Sequence, residues 1–115
     1  MTVKEWLVQT YKDTGYAYLL RPRANCRDKF SISIQANQFV YCVPRQSLAN
    51  GEYSQLELGF ASEHEELLEE YREGAIYPYV PMEVVEKVIE KHGGIVGYGE
   101  VIKVDQWEEG AIWKN

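Results

Sequence analysis

A chain of 115 residues is long enough to build one hydrophobic core and too short for two. Its 45% hydrophobic, 26% charged and 13% aromatic residues are the balance of a folded domain and argue against a disordered, collagen-like or membrane-embedded chain. Twelve Lys and Arg against eighteen Asp and Glu give a net charge of -6, so a general polyanion binder is not expected; neither direct nucleic-acid binding nor membrane attachment is anticipated.

Thr2 followed by Glu5 is a capping box, and Val3, Trp6, Leu7 and Tyr11 recur on one face, which predicts a first helix that stops at Gly15. Residues 17–20 are apolar and read as extended, up to Arg21-Pro22-Arg23, where the proline ends any helix and suits an edge strand. From Phe30 the period becomes two. Phe30, Ile32 and Ile34 point to a core while Ser31, Ser33 and Gln35 point away, the pattern of a strand with one buried face.

Asn37-Gln38 offers a tight turn into Phe39–Val43, whose apolar run predicts a central strand ended by Pro44. After Asn50-Gly51, Leu56, Leu58 and Phe60 alternate with Gln55, Glu57 and Gly59, so three strands in meander order are expected. Ser62 and Glu65 read as a second capping box, with His64, Leu67, Leu68 and Tyr71 along a second helix closed by Gly74.

Tyr77-Pro78-Tyr79-Val80 reads as an extended connection, and Pro81 as the first position of a third helix with Val84, Val85, Val88 and Ile89 inward. His92 and Gly93-Gly94 end that helix. Ile95–Val104 is expected as a last strand, and Trp107, Ile112 and Trp113 suggest a tail that folds back. The fold class is therefore α+β in one domain over 1–115, a small, mostly antiparallel sheet of three to five strands with about three helices on one face.

No established catalytic, metal or cofactor motif is present. Gly94, Gly97 and Gly99 follow a helix and enter β-branched sequence, the reverse of a phosphate-binding strand–glycine–helix unit. His64 and His92 have no second ligand at metal spacing, and His92 in a last turn has a structural use beside the helix dipole. Cys42 could meet a histidine in space as a nucleophile, but a cysteine in an apolar strand is usually inert, so the chain reads as non-enzymatic. Cys26 and Cys42 could form at most one disulfide, and no leader pattern precedes them, which places the expectation in a reducing cytoplasm.

Charge is more informative. Residues 1–62 balance to +2 and residues 63–115 to -8. Glu63, Glu66, Glu69, Glu70 and Glu73 would form an acidic stripe on the second helix, either a solvated face or a surface that engages a basic partner, with Tyr77 and Tyr79 as aromatic anchors. Exposed rings, including Tyr98, Trp107 and Trp113, would also suit a homo-oligomer contact. Conversely, Arg21, Arg23 and Arg45 with Arg27 and Lys29 lie near Tyr16, Tyr18 and Tyr41 in the sequence, an alternative site in which Arg21, Arg23 and Arg45 beside Tyr41 would hold a nucleotide-like anion.

Tyr41-Cys42-Val43-Pro44-Arg45, Leu56-Glu57-Leu58-Gly59-Phe60, Tyr79-Val80-Pro81 and Val88-Ile89-Glu90-Lys91-His92-Gly93-Gly94 resemble small proteins encoded in bacteriophage and prophage genomes. The resemblance covers residues 1 to about 96. It implies a setting rather than a site: small acidic phage proteins that bind and inhibit host defence or nucleic-acid-handling proteins, here in the host cytoplasm.

Overall fold

Helix α1 runs over Val3–Gln9 and starts as its capping box dictates. Thr2 Oγ1 accepts from the Glu5 N–H at 3.2 Å and the Glu5 carboxylate accepts from the Thr2 N–H at 2.8 Å, satisfying two donors that a helix start leaves open. The computed structural model describes residues 1–11 and 20–98. Gly15, Tyr16, Tyr18, Gly99, Trp107, Ile112 and Trp113, with most of the extended reading at 17–20, lie outside the described residues.

Five strands, β1 Ala24–Cys26, β2 Ser31–Gln35, β3 Gln55–Gly59, β4 Ile76–Pro81 and β5 Ile95–Tyr98, form an antiparallel sheet in the order β4-β3-β2-β1-β5. Together with helix α2, Met82–Lys91, this is the α+β class that the patterning implies. Register explains the core: Ala24 faces Ile32, Ile34 faces Leu58 and Leu56 faces Val80, so the alternating apolar side chains of four strands share one face. Helix α2 packs on β3 and β4 and touches α1, burying Val85, Val88 and Ile89 at the 3.6-residue period. At the far edge the Met1 ammonium donates to the Ile95 carbonyl at 2.6 Å and the Ile95 N–H donates to the Met1 carbonyl at 3.2 Å, which extends the sheet by one residue of the N-terminus.

Several expectations are corrected. β2 is buried on both faces, because Arg21 and Arg23 lie over Ser31, Ser33 and Gln35. The segment before β1 is thus a cover and not an edge strand, while β1 itself sits between β2 and β5. Phe39–Val43 is not a central strand: Phe39, Tyr41 and Val43 are exposed, only Cys42 is fully buried, and the run makes one bridge, Val43 to Gln55. It instead lies beside β4, where the Tyr79 N–H donates to the Tyr41 carbonyl at 3.1 Å and so closes part of an open sheet edge.

The second helix shrinks to a six-residue 3-10 turn, Glu66–Tyr71. Ser62 does not cap it; its hydroxyl accepts from the Ser31 N–H, and Glu65 is the N-cap. Only Leu68 is buried in that turn, and both His64 and Leu67 face solvent. Tyr77–Val80 belongs to strand β4 rather than to a connection, and Pro81 stands at the N-cap of α2, one residue before its first turn. The last strand is described only to Tyr98.

Candidate functional site

The acidic stretch is rooted by a carboxylate that points inward. Glu65 is 1% exposed, and its Oε2 accepts from the Leu67 N–H at 3.0 Å and from Lys91 Nζ at 2.9 Å. Its Oε1 lies 2.6 Å from His92 Nε2, while His92 Nδ1 lies 2.6 Å from Asp28 Oδ2. Both contacts are hydrogen bonds only if the ring is an imidazolium, since a neutral imidazole carries one N–H. Phe30 stacks on the ring with centroids 3.9 Å apart.

Burial opposes charge on His92, but the bonds to Glu65 and Asp28 outweigh it and raise the pKa above its ordinary value. Burial likewise opposes charge on Glu65, yet the Leu67 N–H, His92 and Lys91 together hold its carboxyl below the usual range. Asp28 is lowered chiefly by the Phe30 N–H and then by His92. The two carboxylates lie on opposite sides of the ring and do not converge, and among the described residues no cluster of three His, Cys, Asp or Glu is arranged to hold a metal ion.

The end of α2 fits this bridge through Gly93, at φ +89°, where a Cβ would stand 2.9 Å from Arg27 Cβ. Gly93→Ala is therefore expected to destabilise the fold by about 2 kcal/mol, measured by urea unfolding.

On the outside, Glu63, Glu66, Glu69, Glu70 and Glu73 are all exposed. Glu69 is paired with Arg72 at 3.2 Å and lies 3.6 Å from His64 Nδ1; among the described residues the other four have no cationic partner. Glu63, His64, Glu69, Arg72 and Tyr77 line an open depression of about 380 Å³. Tyr77 is buried in its floor and is no projecting anchor, a correction that follows from its inward place in β4; Tyr79 does project. Its φ of +52° turns the ring outward, to 5.7 Å from Tyr41, and Arg45 lies 5.6 Å over the Tyr41 ring.

The alternative anion site is taken apart. Arg21 is buried and donates from Nε to Thr10 Oγ1 at 2.9 Å, from Nη2 to the Leu7 carbonyl at 3.2 Å and from Nη1 to the Ala36 carbonyl. Arg23 is buried and donates to Ser31 Oγ at 2.9 Å and to the Ser31 and Phe60 carbonyls. Both guanidinium groups are consumed by the fold, and of that set only Arg45 stays beside Tyr41. Cys42 is equally enclosed, with Sγ 3.2 Å from the Asn37 carbonyl, and burial raises its pKa. Both cysteines are free thiols.

Asp28 and Lys91 were not legible as site residues, nor was Glu65 as a buried one. Asp28 lies in a turn, Glu65 caps the 3-10 turn and Lys91 ends α2, and no spacing in the sequence joins them to His92. Comparison with protein families, curated proteins and solved structures finds no match to this chain. No helix among the described residues is long and apolar enough to cross a membrane.

Proposed function

We propose that this is a non-enzymatic binding protein that engages a basic surface on a partner protein through Glu63, Glu66, Glu69, Glu70 and Glu73, with Tyr79 as an aromatic contact nearby in the chain. The observation that carries this reading is the set of exposed carboxylates on and beside the 3-10 turn, four of them without a cationic partner among the described residues, with the turn held from beneath by Glu65 and Leu68. A backbone already held in place loses little freedom on docking, and the shared field of the carboxylates speeds encounter with an opposite charge. In the phage setting implied by the resemblance, the partner is a host protein of defence or nucleic-acid handling, inhibited because the carboxylates occupy the basic groove meant for a polyanion.

Reversal of Glu66, Glu69 and Glu70 to lysine is expected to weaken partner binding by about a hundredfold or more, and to leave the unfolding midpoint little changed because these side chains are exposed. Salt-dependent capture from bacterial lysate, followed by titration of the captured protein with both forms, measures this. Equal affinity of the two forms would refute the acidic-surface mechanism.

A further inference from the structure

We propose that His92 is a proton-operated latch: charged, it ties the Arg27–Lys29 turn and the root of the acidic segment to the end of α2, and on losing its proton it keeps Glu65 and releases Asp28. The inference is independent of the partner-binding reading. It rests on two contacts of 2.6 Å, from opposite nitrogens of one buried ring to two carboxylates of very different exposure.

When the ring becomes neutral, one nitrogen presents a lone pair to a carboxylate, and that contact turns repulsive. The proton that stays is the one on Nε2. Glu65 is 1% exposed and cannot be rehydrated where it stands, whereas the Asp28 side chain is 47% exposed and can turn to water. Lys91 Nζ and the Leu67 N–H go on holding Glu65, so the acidic turn keeps its anchor. The Asp28 carboxylate then keeps its Oδ1 contact to the Phe30 N–H at 2.9 Å.

Charged groups approach the ring from the β1–β2 turn, the cap of the 3-10 turn and α2. The β1–β2 turn contributes Asp28, and the stem of Arg27 lies against Gly93; the uncharged Phe30, the residue before β2, stacks on the ring. The cap of the 3-10 turn contributes Glu65, and α2 contributes Lys91 through Glu65. Cys26 senses Asp28, but its thiol, pushed up to about 11 by burial first and Asp28 second, titrates far above the ring.

Release matters to the turn because its backbone is under tension. Lys29 has φ +78°, a region that costs a non-glycine residue energy, and the turn is otherwise tied to the end of α2 by the Asp28 N–H to the His92 carbonyl at 3.3 Å and the Arg27 N–H to the Gly94 carbonyl at 3.1 Å. Loss of the side-chain tie is therefore expected to loosen residues 27–30 and leave 65–71 in place.

The test is a pH titration of the full chain from about pH 5 to about pH 9 by long-range proton–nitrogen correlation of the His92 ring, with backbone amide shifts and exchange read alongside. At low pH both ring nitrogens should carry protons; above the midpoint the Nε2–H tautomer should remain. The Asp28, Lys29 and Phe30 amides should follow the same midpoint, and the Leu67 and Leu68 amides should keep their protection after correction for intrinsic exchange. Asp28→Asn keeps the acceptor for the Phe30 N–H and should lower the proton affinity of His92 by about tenfold, with the amide response at 28–30 lost. A neutral ring throughout, an Nδ1–H tautomer, or loss of protection at Leu67 and Leu68 ahead of the turn would each overturn the latch. Should the Asn variant fail to fold, the wild-type titration decides alone.

Discussion

Replacing Arg21 with alanine is expected to cost about 3 kcal/mol or more of stability, because three buried acceptors lose their donor together. The Leu7 and Ala36 carbonyls and Thr10 Oγ1 all point at one guanidinium, from the end of α1 and the end of β2. The Arg21 backbone adds a reciprocal pair with Gln35, whose Oε1 accepts from the Arg21 N–H at 2.8 Å and whose Nε2 donates to the Arg21 carbonyl at 3.0 Å. Burial pulls the Arg21 pKa below its ordinary value, yet a guanidinium stays charged because it starts so high. Lysine should rescue only part of the loss, since one ammonium cannot serve three acceptors arranged around a planar fork. Urea unfolding of both variants, compared at unchanged m, measures the effect. A cost below about 1 kcal/mol for alanine would show that water replaces the guanidinium and that Arg21 does not organise this junction.

Arg21 also shows why part of the fold was hidden in the sequence. The period of two over Ile32 and Ile34, the alternation at Leu56 and Leu58, and the capping box at Thr2 and Glu5 are local patterns, and the structure follows each of them. The outward side of β2 reads as solvent-facing, because Ser31, Ser33 and Gln35 are polar. It is buried because two arginines from a neighbouring segment supply their hydrogen bonds, and no spacing rule connects Arg23 to Ser31 or Arg21 to Gln35.

The acidic segment failed for another reason. Leu67, Leu68 and Tyr71 have helical spacing, but Glu66, Glu69, Glu70 and Glu73 place like charges three and four apart, which disfavours an α-helix. The chain is then pulled into an extended conformation at Arg72 and bridged from Glu73 to Ile76, leaving room for only a short turn. The acidic character of the candidate surface was legible from composition. Its root was not, because Glu65 and His92 meet only through tertiary packing, 27 residues apart.

That root yields the second large effect. Glu65→Ala is expected to destabilise the protein by about 3–5 kcal/mol, the range for removing one partner from a buried charged pair. The variant strands the His92 ring against one half-exposed carboxylate, frees Lys91 and uncaps the turn at the Leu67 N–H. Glu65→Gln keeps an acceptor for that cap and should cost less, so the difference between the two isolates the charge. Removing Glu65 and His92 together should cost less than the sum of the single changes, because no unpaired charge is then left inside.

The pH dependence has a fixed sign. His92 has a raised folded pKa, so its contribution is complete below the unfolded imidazole value and fades as pH rises through the folded one. Glu65 and Asp28 have lowered values, so theirs is complete above the unfolded carboxylate range and fades as acid protonates them in the fold. The three contributions overlap fully from about pH 5 to about pH 6.5, where wild-type stability should peak. Thermal unfolding from about pH 3 to about pH 9 should show the maximum in the wild type and a flatter curve in Glu65→Ala; parallel curves for the two proteins would mean that the bridge does not carry the pH dependence.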